Sequence, residues 1–267
     1  MEIAMPSFMN DRPLLAGAPN FRDLGGYRTR NGRRLRYNLV FRSEGLAELT
    51  RDDLEVVRKL GIRLICDLRS EREREQVPTR WPENSPVNTL HLDIAADLRA
   101  EYAVMSELLL ASPSTEGANQ AMLTTYRQFP TAFAGRLPQF FEQILAGSNL
   151  PLVFHCAAGK DRTGFVAALL LTALEVPLDD IIEDYLLTAR RWNGQRGEAA
   201  IRQALFAIFG EEPPTAVIQP LMMVKEEYLA AAFDVIEQQY KTVDAYLEQV
   251  AGLGAKQRLA LQHLLLE

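Results

Sequence analysis

The sequence is poor in the residues that hold metal ions or build disulfide frameworks. Its 267 residues include two cysteines and three histidines, and the histidines are too widely scattered for metal-ligand spacing. No apolar run approaches the length of a membrane span. The opening stretch MEIAMPSFMNDRPLL has neither the basic nor the apolar region of a signal peptide. We therefore expect no metal, no cofactor and no integral membrane segment. We also expect a reducing cytoplasm as the compartment, with signal-less secretion as the alternative.

Net positive charge is absent as well. The formal net charge is -6 and the sequence pI is near 5.3, whereas a nucleic-acid-binding protein would carry a basic footprint, so we expect no nucleic-acid partner. A hydrophobic content of 48% is enough for a sizeable core. Because no repeat, low-complexity tract or convincing linker is visible, we predict a single domain over residues 1–267, with residues 1–18 as a loose surface arm.

One stretch, Leu152 to Gly164 (LVFHCAAGKDRTG), concentrates chemistry that the rest of the chain lacks. An apolar run that predicts a short buried strand stops at His155, and a helical pattern starts near Arg162. The loop between them is filled by small residues: Ala157, Ala158 and Gly159. Successive backbone N–H groups can turn inward there, and unpaired amides at a helix N-terminus favour an anion. The pattern predicts a phosphate-binding loop over residues 157–162.

Two side chains of this loop supply reactive chemistry. The planar guanidinium of Arg162 can grip two phosphate oxygens at once. Cys156 lies at the base of the resulting positive field, which favours its thiolate as a nucleophile near neutral pH. Residues 156–162, called the phosphate cradle below, are therefore predicted to bind a phosphate above a sulfur nucleophile.

The stretch His155–Gly164, HCAAGKDRTG, resembles the His-Cys-x5-Arg-Thr/Ser signature of cysteine-dependent protein tyrosine phosphatases. The Lys-Asp pair before the arginine is typical of a bacterial branch that includes secreted mycobacterial and listerial phosphatases. Three further segments resemble the same branch: Asn20–Gly26 (NFRDLGG), Phe41–Ser43 (FRS) and Asp67–Ser70 (DLRS). The match gains specificity because a predicted strand precedes the loop and a predicted helix follows it.

The resemblance implies a metal-independent protein tyrosine phosphatase that hydrolyses phosphomonoesters through a phosphocysteine intermediate, with dual specificity as an option. The implied substrate is a phosphotyrosine protein, a phosphorylated small molecule or a lipid headgroup. One alternative is a phosphoinositide phosphatase, in which Lys160 would attract a second phosphate at the pocket mouth; a solvated lysine is the plainer interpretation. An alternative of another class is a phosphate-binding pseudo-phosphatase, against which the intact Cys156, Arg162 and Thr163 weigh. The oligomeric state is left open.

The remaining catalytic roles rest partly on the resemblance. The hydroxyl of Thr163 can donate to the thiolate or cap the helix, and His155 is expected to order the loop. The general acid is Asp161 by resemblance. Asp93, with Asp97 behind it, is the rival, and a third interpretation makes neither the acid.

Some phosphoinositide phosphatases of this superfamily carry a cysteine at a strand end that forms a disulfide with the nucleophile. By that resemblance Cys66 is a redox partner of Cys156; a small buried hydrophobic residue is the alternative. Residues 97–128 lie where relatives carry a mobile loop, so they form either a cover for the pocket or ordinary packing helices. The C-terminal helices are a second possible lid. Arg22, Asp23 and Arg42 predict an internal ion-pair brace, with substrate contact as the alternative.

The fold class follows from the order of elements. Thr50 and Asp53 predict the start of a helix that ends before Gly61, and the apolar run of residues 62–68 predicts a buried strand. Ser70 and Glu73 have the spacing of a capping box, which predicts another helix after that strand. Helix, short loop and strand in that order indicate an α/β protein with a mostly parallel central sheet flanked by helices. Small strands are predicted at residues 26–29, 33–36, 39–43 and 87–94, and extra helices at 225–240, 242–251 and 255–266. By the resemblance above, the fold is dual-specificity-phosphatase-like.

Overall fold

The strand that precedes the cradle belongs to a five-stranded sheet. The computed structural model describes residues 13–94, 99–191 and 194–267. The strands lie in the order β1 (Arg22–Asp23), β2 (Val40–Ser43), β5 (Leu152–His155), β3 (Leu64–Asp67) and β4 (Asn88–His91). Strand β1 is antiparallel to β2, and the other neighbours are parallel. The predicted α/β fold with a mostly parallel sheet is confirmed.

Twelve helices lie in the described part of the chain, and none of them is both long and apolar enough to cross a membrane. They are α1 (Arg51–Leu60), α2 (Glu71–Gln76), α3 (Arg99–Ala111), α4 (Thr115–Ala132), α5 (Leu137–Leu145), α6 (Asp161–Ala173), α7 (Leu178–Arg191), α8 (Gly194–Phe209), α9 (Thr215–Met222), α10 (Glu226–Tyr240), α11 (Val243–Gln249) and α12 (Ala255–Leu265). The three helices predicted after residue 225 are confirmed.

The two faces of the sheet are buried against different partners. On one face, Cys66 and Phe154 join the larger core, which includes α4, α5 and α6. On the other face, Ile65 and Val153 pack with Val57 of α1 in a smaller core. Helix α6 is buried along almost its whole length. The strand and the helix that flank the cradle are therefore both held inside the protein, which fixes the position of the loop between them.

Helix α1 begins with the predicted cap, and the cap has a second role. The Thr50 side chain accepts from the Asp53 N–H, and the Asp53 carboxylate accepts from the Thr50 N–H. The same carboxylate also accepts from the N–H groups of Ala16 and Gly17, each at 2.8 Å. Residues 13–18 are therefore packed against α1, and Leu15 is fully buried, so this part of the predicted arm is not loose.

Several predicted boundaries differ from the structure. The segments 26–29 and 33–36, predicted as strands, pair only through isolated bridges. Arg28 is bridged to Arg34, and residues 34–36 also form backbone hydrogen bonds with residues 265–267 at the C-terminal end. Helix α4 runs through Pro130 to Ala132 and buries Ala118 and Ala121 in the core. The packing interpretation therefore holds for the α4 part of the segment 97–128, whose first two residues lie outside the described residues.

Candidate active site

Cys156 lies at the carboxyl end of β5, directly before the cradle turns into α6. Strand β5 is central in the sheet, so the end of β5 lies between the ends of β2 and β3. Ligands of parallel α/β sheets bind at this edge, where strands end and helices begin. The Cys156 residue is only 2% exposed, so it forms the floor of any site there.

The carbonyl groups of the three small cradle residues, 157–159, are bonded to the segments around the loop. They accept hydrogen bonds from three separate segments: Ala157 O from Gly45 N at 2.9 Å, Ala158 O from Asn20 Nδ2 at 3.4 Å, and Gly159 O from Asn20 Nδ2 at 3.1 Å and Arg42 Nη2 at 2.9 Å. The N–H groups of the same three cradle residues donate to no acceptor within residues 13–94, 99–191 and 194–267. Engaged carbonyls and amides without an acceptor agree with the predicted nest for an anion, which stays a prediction.

Glycine is required at position 159 on two counts. Its φ is +63°, in the left-handed region, and a Cβ atom there would lie 2.5 Å from both Ser43 O and Glu44 N. The loop therefore packs directly on the backbone that follows β2. Any side chain at this position would push the cradle away from the strand that supports it.

A buried ion cluster behind the cradle holds two of its donors. Asp184 of α7 accepts from Arg22 Nε at 2.9 Å and from Arg42 Nη1, and all three side chains are almost fully buried. Burial alone would raise the pKa of Asp184, but the two guanidinium groups lower it to about 2. The brace interpretation is thus confirmed for Arg22 and Arg42, while Asp23 instead accepts from the N–H groups of Gly25 and Asn38.

Sequence reasoning missed Asp184, although it is the centre of this brace. It lies 142 positions from Arg42 and 162 from Arg22 along the chain. It reads as an ordinary polar residue of an amphipathic helix, so no local signal marks it. Arg22 Nη1 also donates to Asn20, whose amide holds the cradle. The ion cluster therefore reaches the cradle through both Arg42 and Asn20.

Glu73 of α2 holds the guanidinium of Arg162. Arg162 Nη1 donates to Glu73 Oε2 at 2.8 Å, and Nη2 donates to Oε1 at 2.6 Å. Glu73 also completes the predicted capping box, because it accepts from the Ser70 N–H at 2.7 Å. Burial would raise the pKa of Glu73, but Arg162 lowers it to about 2. Glu73 thus binds the guanidinium along its Nη1–Nη2 edge, and this bidentate pair fixes the plane of the fork.

We predict that Glu73→Gln lowers kcat by about 10- to 100-fold, because a misplaced charged group near the reacting atoms costs that much. The variant should also lose stability relative to the unchanged chain. Glu73 titrates near pH 2 folded and 4.5 unfolded. A lowered carboxyl pKa stabilises the fold above the unfolded value, so this stability difference should shrink as pH falls from 4.5 towards 2.

The measurements are steady-state kinetics and denaturant unfolding at several pH values. Glu75→Gln is the matched control, since Glu75 is exposed on the same helix. Equal effects of the two substitutions would refute a specific role for Glu73.

His155 lies under the cradle as a buried neutral group. Its Nδ1 is 3.2 Å from Cys156 O, and its Nε2 is 3.7 Å from Asp67 Oδ2. Burial lowers the pKa of His155, which disfavours the imidazolium. Asp67 is in turn engaged by Arg69, with Nη2 to Oδ2 at 2.7 Å. These contacts agree with the predicted loop-ordering role.

Lys160 does not project into solvent at the pocket mouth, as the phosphoinositide interpretation required. The residue is 3% exposed, and its Nζ donates to Leu221 O at 2.5 Å and to Met223 O at 3.3 Å. These carbonyls belong to the C-terminal end of α9 and the residue that follows it. A cation is favoured there because the last carbonyls of a helix lack intrahelical donors. Packing of α9 on the cradle thus overturns the exposed-lysine expectation.

Thr163 and Cys66 are buried in the protein. The Thr163 hydroxyl has no hydrogen-bond partner among the described residues, so the predicted donation to Cys156 is not formed. Both cysteines are free thiols. Burial raises the pKa of Cys66 to about 12, and Cys66 pairs with Phe154, two positions before Cys156. Strand geometry then separates the two cysteine Cα atoms by roughly 8 Å. A bridge would need backbone movement at that distance, and the redox role stays a prediction.

The two candidate acids have different surroundings. Asp161, the first residue of α6, accepts from the Tyr126 hydroxyl at 2.7 Å, and its Oδ2 is 3.6 Å from Lys160 Nζ. Asp93 follows β4 and accepts from the Glu71 N–H at 3.3 Å. Asp97 lies outside the described residues. Within the described chain, no group of three or more His, Cys, Asp or Glu side chains is placed to hold a metal ion.

Known proteins are similar to this chain over most of its length. Residues 13–267 match the family described as the tyrosine phosphatase family. The chain is similar to the triple specificity protein phosphatase PtpB of Mycobacterium tuberculosis, with 33% identity over 265 residues, covering 90% of this chain and 94% of that protein. It is also 34% identical over 240 residues to a candidate tyrosine-protein phosphatase of Cupriavidus necator, covering 89% of this chain and 83% of that protein.

Proposed function

This chain belongs to the tyrosine phosphatase family and is a phosphatase hydrolase; from that premise we propose that it hydrolyses phosphotyrosine in proteins through a phosphocysteine intermediate on Cys156. The observation that carries the proposal is the cradle itself. The carbonyls of residues 157–159 accept hydrogen bonds from the supporting segments, the N–H groups of these residues have no acceptor in the described part of the chain, and Cys156 is buried at the start of the loop that ends at Arg162. Such an arrangement suits a trigonal, negatively charged phosphoryl group.

In the first step, the Cys156 thiolate attacks phosphorus in line with the leaving tyrosine oxygen. An S–P bond forms as the P–O bond to tyrosine breaks, and the tyrosine oxygen takes a proton from the general acid. The cradle amides and the Arg162 guanidinium stabilise the negative charge on the three equatorial oxygens in the transition state. Glu73 contributes by fixing the plane of that guanidinium.

In the second step, water attacks the phosphorus of the phosphocysteine. The carboxylate left by the first step takes a proton from this water, a new P–O bond forms, and the S–P bond breaks. Inorganic phosphate leaves and Cys156 returns as a thiolate. The buried Thr163 hydroxyl, which has no partner in the described structure, is available to donate to that thiolate once the site is occupied.

We assign the general acid to Asp161 and keep Asp93 as its rival. Asp161 is the first residue of α6, next to Arg162, and its side chain is 28% exposed. It is therefore close to the bound phosphoryl group and still reachable from outside. If Asp161→Asn leaves turnover of a phosphotyrosine peptide unchanged, the assignment moves to Asp93.

The substrate class follows from the leaving group and from the position of Lys160. A tyrosine oxygen leaves with less help from an acid than a serine alkoxide does, so phosphotyrosine should be turned over faster than phosphoserine. The relative from M. tuberculosis is named a triple specificity protein phosphatase, which supports activity on more than one class of substrate here. The lipid alternative has no support from Lys160, whose ammonium is engaged by the end of α9.

The test is phosphate release from a matched panel in the presence of a metal chelator. The panel holds a phosphotyrosine peptide, a phosphoserine peptide and a soluble phosphoinositide, with Cys156→Ser as the blank. We expect rapid release from the first, slower release from the second and none above blank from the third. Release that depends on added metal, or tight peptide binding without release, would contradict the proposal.

A further inference from the structure

Two buried tyrosine hydroxyls lead to the Asp161 carboxylate. Tyr126 of α4 donates to Asp161 Oδ1 at 2.7 Å, and the hydroxyls of Tyr126 and Tyr185 lie 2.7 Å apart. The two tyrosines are at most 1% exposed. Tyr185 approaches the cradle helix closely because residue 164 is glycine, where a Cβ atom would lie 2.8 Å from the Tyr185 ring.

The direction of these hydrogen bonds follows from the number of hydrogens. Each phenol has one hydrogen, and that of Tyr126 is given to Asp161 Oδ1. The hydrogen between the two phenols must therefore come from Tyr185, so both hydroxyls point towards Asp161. Burial, and then the nearby Asp161 charge, raise the pKa of both Tyr126 and Tyr185. Both phenols stay protonated and act as donors.

We propose that Tyr126 is a positioning residue for proton transfer by Asp161; this rests on the proposed acid role of Asp161. Because Tyr126 already donates to Oδ1, a proton on that oxygen would face a competing donor. The transferable proton is therefore carried by Oδ2, the oxygen that Tyr126 does not hold. The Lys160 ammonium lies 3.6 Å from Oδ2, which is beyond hydrogen-bond distance, and it donates instead to Leu221 O and Met223 O. In the first step this proton leaves Oδ2 for the tyrosine oxygen, and in the second step Oδ2 takes one from water. Tyr185 assists by keeping the Tyr126 hydrogen directed at Asp161.

The test compares two substrates that differ in their need for an acid. Nitrophenolate leaves from p-nitrophenyl phosphate without a proton, whereas the tyrosine oxygen of a phosphotyrosine peptide benefits from one. Tyr126→Phe keeps the ring contacts of Tyr126 and removes only the hydroxyl. We compare kcat/KM, which reports only the first step, because the second step is the same for both substrates. We expect kcat/KM on the peptide to fall by about tenfold, and kcat/KM on p-nitrophenyl phosphate to fall by less than about twofold, since positioning supplies part of a general-acid effect.

The matched control is Tyr246→Phe. Tyr246 is also fully buried, and its hydroxyl donates to Pro130 O at 2.8 Å, so this substitution costs a buried hydrogen bond without touching Asp161. It should leave the ratio of the two kcat/KM values unchanged. Tyr185→Phe should change the ratio in the same direction as Tyr126→Phe and by less, and it provides the second variant if Tyr126→Phe does not fold.

The outcomes separate this inference from the proposed function. If Asp161→Asn has the same ratio of kcat/KM values (peptide over p-nitrophenyl phosphate) as the unsubstituted chain, both the acid assignment and the inference are wrong. If this ratio falls in Asp161→Asn but not in Tyr126→Phe, the acid assignment stands and only the inference is overturned. Equal loss on both substrates in Tyr126→Phe would also overturn it, because that pattern indicates a structural role. A selective loss on the peptide in both variants, with Tyr246→Phe unchanged, supports it.

Discussion

Replacing Cys156 with serine will lower phosphate release from a phosphotyrosine peptide by at least about a thousandfold, because a serine hydroxyl in this site has no base to activate it and loss of a nucleophile commonly costs that much. Binding of the peptide should survive, since the cradle amides and Arg162 are unchanged. The measurements are single-turnover phosphate release and titration calorimetry. Loss of release with retained binding is the pattern that identifies a nucleophile.

The matched control is Cys66→Ala. Cys66 is buried at the end of the neighbouring strand β3, so this substitution removes the other thiol without touching the cradle. We expect a modest loss of stability and nearly unchanged turnover. Residual activity of Cys156→Ser near the unsubstituted level would rule out a sulfur nucleophile, and equal loss in both variants would indicate a general effect on folding.

Asp184→Asn will have the largest effect on stability, lowering the free energy of unfolding by about 3–5 kcal/mol. Removing one partner of a buried ion cluster leaves uncompensated charge in the interior, which typically costs that much. Here two guanidinium groups, those of Arg22 and Arg42, would lose their shared carboxylate. Activity should fall as well, because Arg42 and Asn20 hold the carbonyl of Gly159.

The measurement is urea unfolding of the folded chain, followed by kinetics under conditions where the variant remains folded. Asp244→Asn is the control, since Asp244 forms an exposed ion pair with Arg258 in which the carboxylate is 70% exposed, and such pairs contribute little. A Cm for Asp184→Asn close to that of the control would show that the cluster does not stabilise the fold.

The sequence predicted those elements whose signals are local. The caps at Thr50 and Ser70, the strand–loop–helix of residues 152–173 and the last three helices lie within one or two residues of their predicted bounds. Each depends on hydrophobic periodicity or on a side chain that bonds the backbone three residues away. The hairpin around Asn31 failed as a strand prediction because turn residues specify the reversal, and not how far pairing continues.

Lys160 illustrates the limit of such reasoning. Lys160 precedes Asp161 and Arg162 in the sequence, and its charge predicted a cation that faces solvent. The structure instead places its ammonium on the carbonyls of Leu221 and Met223, about sixty positions further along the chain, at separations of 61 and 63. Nothing near Lys160 indicates that α9 will end there, since helix packing is decided by the whole core.

The sequence by itself determined that Cys156, Arg162 and the small residues between them share one loop, because they are close together in the chain between a strand and a helix. Only the tertiary structure decided what holds that loop in place. Glu73, Asp184 and Tyr126 lie 89 positions from Arg162, 142 from Arg42 and 35 from Asp161, respectively. In the sequence each is an ordinary residue of a helix; folding buries Asp184 and Tyr126 and half-buries Glu73. Burial then turns a surface-type hydrogen bond or ion pair into a strong constraint, because water no longer competes for the partner.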